Sequence, residues 1–317
     1  MKFLMSLIMF VSINSIAQIV QTFVNGDYSV RTEFFYDVNG DRMDNSAKYS
    51  LFKNDKELYS IEKLLDRNEP LPTAAVFEDG VLILVYSLSG RIVYYDSTGA
   101  IFASSDLNVE YSIEYESTVL IDVEGNSAAV LVSSPVEPNS RLFLHKSNAE
   151  RINVIEVKGF QGSGLKFIDE KKIVASTYYW LDSLVENTFF YTIDGDLLGK
   201  IPIRFDQCDF DKDYFIGYYN KKAFLIDLHN YEMIFEFEPI EGEMIVSAKI
   251  LEDKIIITSS KFPELKEGKW YYKNIRIEEF NKIGKKLNKK EIETSEYLEM
   301  EIIPDNGNII ILIVGKE

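Results

Sequence analysis

One short stretch of the chain carries oxygen-bearing residues at the spacing of a hard-cation site. Side-chain oxygens occur at its first, third, fifth and ninth positions, in Asp37, Asn39, Asp41 and Asn45, and the carbonyl oxygen of Met43 falls at the seventh. This spacing allows a single loop to wrap several oxygen ligands around calcium. The five residues are therefore candidate calcium ligands.

In ligand spacing, the stretch resembles the loops of EF-hand-like, dockerin and FG-GAP repeats, but it departs from them at two positions. Arg42 replaces the glycine of the sharp turn, and Lys48 stands where an EF-hand has its bidentate glutamate. The alternative is a metal-free β-hairpin, in which Asn39-Gly40 is the tight turn between strands near Tyr36 and Tyr49.

Two aromatic clusters are candidate ligand-binding sites. They are Tyr178, Tyr179 and Trp180, and Trp270, Tyr271 and Tyr272. Both lie near excursions between predicted strands, where exposed rings could bind a sugar or a peptide. Because alternate residues of a strand point to opposite faces, core packing of some of these rings is the competing interpretation.

The scarcity of cysteine and histidine limits the chemistry of the chain. Cys208 is the only cysteine, which excludes an intramolecular disulfide framework and a multi-cysteine zinc or iron–sulfur site. The two histidines, His145 and His229, lie on or beside predicted third strands, which favours surface or turn histidines over a catalytic triad. No catalytic residue is assigned, and calcium is the only cofactor considered.

The charge balance excludes one class of partner. The chain carries 34 Lys and Arg residues against 51 Asp and Glu residues, a formal charge of −17. A surface this acidic repels a phosphate backbone, so nucleic acid is not an expected partner.

The N-terminus predicts export. Lys2 precedes a mostly apolar run over residues 3–11, and Ser15 and Ala17 supply the small residues of a cleavage site. Residues 1–17 are predicted to be a signal peptide, which leaves residues 18–317 as one mature domain in the periplasm or outside the cell. No later segment reaches the length of about 18 apolar residues that a membrane-spanning helix needs.

A regular repeat dominates the remaining sequence. Short apolar strands follow acidic or glycine-containing turns, and turn residues 79, 124, 169, 212, 253 and 305 are 45, 45, 43, 41 and 52 residues apart. This period is typical of one four-stranded β-propeller blade. The last repeat ends at Glu317 with only two strands, and strands near Tyr28, Tyr49 and Leu58 could complete it.

The repeat resembles six-bladed β-propellers of the broad NHL-like and TolB-like kind found in secreted bacterial proteins. This resemblance implies an all-β fold closed by pairing of the N- and C-terminal strands, with seven blades as an alternative. It rests on period and strand pattern, so it transfers no functional residue.

The expected function is that of a non-enzymatic binding or scaffold protein for a protein, peptide or glycan. A propeller offers loop faces that suit recognition without catalytic residues. The alternatives are a metal-dependent, lactonase-like hydrolase with carboxylates in the central channel, and a sugar-binding or sugar-cleaving protein.

Overall fold

The chain folds into six antiparallel β-sheets. The structure is a computed structural model that describes residues 11–13, 16–36, 46–64, 71–87, 89–107, 118–133, 138–179, 185–251, 254–266, 269–292, 298–305 and 308–314. These ranges contain strands and turns but no helix. The all-β prediction is therefore confirmed.

The residues form two compact units, Met1–Leu198 and Gly199–Glu317, and the first contains sheets 1 to 3 and most of sheet 4. Sheet 1 consists of β1 (Val11–Ile13), β2 (Ile16–Asn25), β3 (Tyr28–Tyr36), β4 (Ser46–Lys53) and β5 (Lys56–Leu64). Sheet 2 consists of β6 (Thr73–Val76), β7 (Leu82–Tyr86), β8 (Arg91–Tyr95) and β9 (Ile101–Asp106). Sheet 3 consists of β10 (Thr118–Glu124), β11 (Ser127–Ser133), β12 (Asn139–Lys146) and β13 (Arg151–Lys158). Sheet 4 consists of β14 (Gln161–Asp169), β15 (Lys172–Tyr179), β16 (Val185–Thr192) and β17 (Leu197–Ile201), so the division between the units falls within β17.

The second unit contains sheets 5 and 6. Sheet 5 consists of β18 (Gln207–Phe210), β19 (Tyr214–Tyr219), β20 (Lys222–Asp227) and β21 (Glu232–Phe237). Sheet 6 consists of β22 (Glu243–Ile250), β23 (Lys254–Lys266), β24 (Lys269–Asn281), β25 (Lys286–Ile292), β26 (Leu298–Asp305) and β27 (Asn308–Val314).

The predicted pairing of the two chain ends is wrong for the strands that the structure describes. The N-terminal strands form sheet 1 by themselves, because β2 supplies the strand that sequence analysis assigned partly to the signal peptide. The C-terminal hairpin of β26 and β27 joins sheet 6 instead, where Tyr271 and Tyr272 of β24 pair with Glu299 and Leu298. The count of six sheets thus agrees with the repeat, although no sheet combines both ends of the chain.

The second and third strands of sheets 2 and 3 are apolar on both faces, because each face packs against a different neighbour. In β7, Ile83 and Val85 belong to the apolar layer between sheets 2 and 3, whereas Leu82 and Leu84 belong to the layer shared with sheet 1. A strand covered on both faces requires a continuous apolar run instead of an alternating one. This requirement explains the runs that mark each repeat.

The acidic turns that predicted the repeat are stabilised by their own side chains. Oδ1 of Asp169 accepts a hydrogen bond from the backbone N–H group of Lys171 at 2.8 Å. Oδ1 of Asp211 accepts in the same way from the N–H groups of Asp213 (2.8 Å) and Tyr214 (2.7 Å). Such bonds satisfy turn amides, which explains the preference for Asp and Asn there.

Carboxylates connect neighbouring sheets at equivalent positions two residues before a turn. Asp122 of β10 lies 2.6 Å from Nζ of Lys166 and accepts the backbone N–H of Phe167 at 2.8 Å. In the second unit, Asp209 of β18 accepts the N–H of Ile250 at 2.9 Å. The buried Asp122 carboxylate is thus compensated by a cation and by a backbone donor, as burial of a charge requires.

A buried histidine ends the apolar layer between sheets 2 and 3. His145 lies on the third strand of its sheet, but it is fully buried, so its interpretation as a surface or turn residue is wrong. Its Nδ1 lies 2.9 Å from the hydroxyl of Tyr94, which is also buried, and its Nε2 has no hydrogen-bond partner among the described residues. Burial, assisted by the positive charge of Arg151, lowers the pKa of His145 to about 4.

We predict that His145 makes the protein sensitive to acid. In the unfolded chain the imidazole titrates near its ordinary pKa of about 6.5, so below that pH the unfolded state binds the proton more readily than the folded state. The free energy of unfolding should fall by up to about 3 kcal/mol between pH about 6.5 and about 4 through this group. His145→Gln retains an acceptor for Tyr94 but does not titrate there.

Denaturant unfolding of both proteins at several pH values tests this prediction. The free-energy difference between wild type and His145→Gln should change with pH between about 6.5 and about 4. Parallel pH dependences for wild type and His145→Gln would contradict the assignment.

Candidate functional site

The predicted site residues all lie at or beside connections between consecutive strands of one sheet. Residues 37–45 connect β3 to β4, Tyr178 and Tyr179 end β15, and Trp270 to Tyr272 begin β24. The first two places are in the first unit, and the third is in the second unit. In a repeat protein, the residues of such connections can change without disturbing the packing of the core, so binding residues are commonly found there.

A chain of hydroxyl groups joins sheets 3 and 4 beside the tyrosines. Ser140 donates its hydroxyl proton to the carbonyl oxygen of Gly159 at 2.7 Å. Since a serine has one proton to donate, Ser133 must be the donor in its 2.8 Å contact with Ser140. The backbone N–H of Gly162 in turn donates to Oγ of Ser133 at 2.8 Å. The three hydrogen bonds are therefore donated in one direction, from the N–H of Gly162 through Ser133 and Ser140 to the carbonyl oxygen of Gly159.

A second hydroxyl chain lies within sheet 4. Ser163 donates to Oγ of Ser176 at 3.0 Å, and Ser176 donates to the carbonyl oxygen of Asn187 at 3.2 Å. Thr177, by contrast, donates to the carbonyl oxygen of Lys158 in β13 at 2.5 Å, a bond that joins sheets 3 and 4. We call Ser133, Ser140, Ser163, Ser176 and Thr177 the hydroxyl cluster. It holds the ends of β11 to β15 in place with neutral, mutually satisfied groups.

Gly159 allows this close approach between strands. Its φ is +112°, and a Cβ atom there would lie 2.4 Å from Oγ1 of Thr177. Any other residue would both strain the backbone and displace the threonine hydroxyl. The glycine-rich stretch 159–164 is therefore a fixed crossing from β13 to β14.

Tyr178 and Tyr179 are half-buried at the end of β15, next to the hydroxyl cluster. Tyr179 packs edge-on against Phe160, with ring centroids 4.8 Å apart and an interplanar angle of 84°. This geometry is favourable for aromatic pairs and fixes the ring with part of its surface exposed. Trp180, which follows directly, lies outside the described residues.

In sheet 6, the second aromatic cluster lies on an elongated hairpin. Trp270 pairs with Leu265, and Tyr271 pairs with both Glu264 and Glu299, which places Tyr271 between two neighbouring strands. The side chains of residues 270–272 lie outside the described part of the structure. The predicted role of Trp270, Tyr271 and Tyr272 in ligand binding therefore stays a prediction.

The strands that flank the candidate calcium loop are antiparallel neighbours, and the predicted Asn39-Gly40 turn between them lies outside the described residues. β3 and β4 pair antiparallel up to Glu33 and Lys48. Asp37, Asn39, Asp41, Met43 and Asn45 lie outside the described residues, so the calcium site also stays a prediction. Within the described ranges, no group of three or more His, Cys, Asp or Glu side chains is arranged to hold a metal ion.

The hydroxyl cluster was not predicted, although the sequence contains a signal of it. The apolar runs of β11 and β15 end in Ser133 and in Ser176-Thr177, and these polar residues are buried. A polar residue ending an apolar run is equally consistent with exposure to solvent. Only the packing of β14 against sheet 3 shows that these hydroxyls are enclosed.

Comparison with known proteins identifies the fold and no family. No protein-family model matches the chain, and no curated protein matches it in sequence. Among solved structures, BamB from Moraxella catarrhalis has 9% sequence identity and a TM-score of 0.54, over 94% of this chain and 86% of BamB. The Dos1 propeller has 11% identity and a TM-score of 0.55, over 86% of this chain and 70% of the other.

A further similar chain occurs in the structure of a mitotic checkpoint complex. Its identity is 9% and its TM-score is 0.54, over 85% of this chain and 78% of that chain. Similarity at such low identity shows the fold alone. Together with the six sheets, it shows that this chain has a β-propeller fold, with the sheets as its blades.

Proposed function

We propose that this chain is an exported, non-enzymatic propeller that recognises a protein, peptide or glycan through the end of sheets 3 and 4. The observation that carries the proposal is the half-buried ring of Tyr179, which is fixed edge-on against Phe160 beside the hydroxyl cluster and follows the half-buried Tyr178. Aromatic rings held by a rigid scaffold give contact area without a large loss of side-chain entropy on binding.

Two observations favour recognition of a ligand at this end of the first unit. Its hydroxyl groups are neutral and already hydrogen-bonded to each other, so the strand ends do not reorganise when a ligand binds. One structurally similar chain is part of a multi-protein assembly, the mitotic checkpoint complex. A protein or peptide partner agrees with that comparison, and stacking on tyrosine agrees equally with a glycan.

Export is supported by the arrangement of sheet 1. Cleavage after Ala17 would remove β1 and the first two residues of β2, and Gln18 would still pair with Phe35. The remaining β2 to β5 would form a four-stranded sheet like sheets 2 to 5. The described residues contain no helix long and apolar enough to cross a membrane.

We predict that N-terminal sequencing of the secreted or periplasmic protein finds Gln18 first; a chain beginning at Met1 would contradict cleavage.

We predict that calcium, if bound by the β3–β4 connection, stabilises the protein measurably. A site with a Kd of about 10⁻⁴ M in about 1 mM calcium adds about 1.4 kcal/mol, which raises Tm by roughly 3–5 °C. Thermal melts of residues 18–317 in EDTA and in calcium measure the shift. Asp37→Ala should abolish it; a shift retained in this variant would place the ion elsewhere, and no shift would contradict the calcium loop.

We predict that the aromatic residues at the end of β15 carry ligand binding. Residues 18–317 are screened against an immobilised glycan panel and an unbiased peptide library, and the strongest ligand is titrated by calorimetry. Tyr178→Ala and Trp180→Ala should each weaken its binding by about tenfold or more, as expected for a central aromatic contact.

Phe102→Ala is the matched control, because Phe102 is an exposed aromatic residue on the outer strand β9. This variant should bind as wild type does, and all variants should be compared at equal folded fraction. Unchanged affinity in both Tyr178→Ala and Trp180→Ala would contradict the proposed site. Turnover of lactone or ester substrates by the wild type would favour the hydrolase alternative.

A further inference from the structure

The outer strand of sheet 6 is strongly basic on a chain that is acidic overall. Residues 282–290 contain five lysines, namely Lys282, Lys285, Lys286, Lys289 and Lys290, whereas the whole chain has a formal charge of −17. Every residue of β25 except Ile292 is exposed. We call residues 282–290 the lysine edge.

General protection against aggregation does not explain this concentration of charge. Lysine on an outer strand does discourage edge-to-edge pairing. If that were the whole reason, the other outer strands would carry similar charge. Instead β5 has two lysines and two glutamates, β9 has one acidic residue, and β21 has two glutamates and no basic residue. The outer strands β13 and β17 are only weakly basic, with two basic residues and one glutamate in β13 and a single lysine in β17. Among the outer strands of the six sheets, β25 alone carries three lysines.

Some of these lysines are used within the fold, and two are not. Nζ of Lys282 lies 2.8 Å from Asp211, and Nζ of Lys289 lies 2.6 Å from Glu291. Lys286 forms an ion pair with the buried Glu278. Lys285 and Lys290 have no ion pair among the described residues, and both are exposed. These two charges are available to a partner.

The lysine edge also offers backbone groups and apolar side chains. β25 pairs only with β24 among the described strands, so its other edge is open to strand addition. Ile283 is 75% exposed and Leu287 is 54% exposed, between the lysines. Oδ1 of Asn281 accepts the N–H groups of Ile283 (3.2 Å) and Lys285 (2.8 Å), which fixes the turn that leads into the strand.

We propose that the lysine edge binds an acidic, extended polypeptide segment that adds to sheet 6 as a further strand. Charge complementarity selects the occupant, because an acidic segment can pair with Lys285 and Lys290 while its backbone bonds to β25. A membrane or nucleic acid is a poorer occupant. Its extended negative charge would meet the rest of an acidic protein, whereas a short segment experiences only charges within about 10 Å.

This proposal does not depend on the recognition site at Tyr178, which lies in the other unit. The test uses residues 18–317 and a fluorescent peptide of alternating glutamate and valine, with binding followed by anisotropy. The double variant Lys285→Glu/Lys290→Glu should weaken binding by about tenfold or more, and added salt should weaken wild-type binding. Tyr178→Ala should bind the peptide as wild type does.

Two controls separate strand addition from general attraction of anions. Lys56→Glu/Lys221→Glu makes the same change in net charge at exposed positions elsewhere and should leave the affinity unchanged. A peptide N-methylated at alternate amides keeps its charge but loses strand pairing, so it should bind more weakly.

Absence of binding by the alternating peptide would overturn the proposal. So would equal affinity for the N-methylated peptide, or an equal effect of the two double variants. Binding of duplex DNA or of phosphatidylglycerol vesicles that is lost in Lys285→Glu/Lys290→Glu would also overturn it, in favour of a general polyanion site.

Discussion

Packing of the second and third strands between two neighbouring sheets is the interaction on which the rest of this structure depends. In β11, Ala128, Val130 and Val132 pack towards sheet 2, while Ala129 and Leu131 pack towards sheet 4. Each such strand therefore belongs to two apolar layers. No sheet buries its own apolar surface alone, so the sheets within a unit stabilise one another, as in other repeat proteins. The outer strands, covered on one side only, are free to vary in sequence and charge.

The apolar layers end in polar groups that must be paired because they are enclosed. Asp122 with Lys166, Tyr94 with His145, and Ser133 with Ser140 solve this problem with different chemistry. An ion pair and a chain of hydroxyls replace the hydrogen bonds that water would make, whereas the Tyr94 phenol pairs with only one ring nitrogen of His145 and leaves Nε2 without a partner among the described residues. In the hydroxyl cluster the groups are neutral and fully paired. The strand ends there are held rigidly, and they support the connection that follows β15.

The repeated part of the fold could be predicted from sequence, because one physical requirement recurs in each repeat. Acidic turns satisfy their own amides, and apolar runs fill the layers, so residues 79, 124 and 169 mark successive sheets. The ends of the chain were predicted less well. Ile16 to Asn25 has the composition of both a cleavage region and a strand, and composition alone does not show which partner it finds. His145 was misread for a related reason, since burial depends on the neighbouring sheet rather than on the residues beside it.

Candidate site residues were harder to predict than the fold, because recognition depends on departures from the repeat. The core residues must be similarly apolar in every sheet so that the layers are continuous. They therefore give no specificity for a ligand. The departures are the tyrosines that end β15, the elongated hairpin of β23 and β24, and the lysines of β25. The elongated hairpin and the lysines are confined to sheet 6 among the described residues, whereas a pair of tyrosines also ends β19 of sheet 5, where both rings are buried. A net charge of −17 describes the surface as a whole, but a partner of a few residues meets only the local charges. In an acidic protein, a basic outer strand therefore distinguishes one sheet from the others, which composition alone does not reveal.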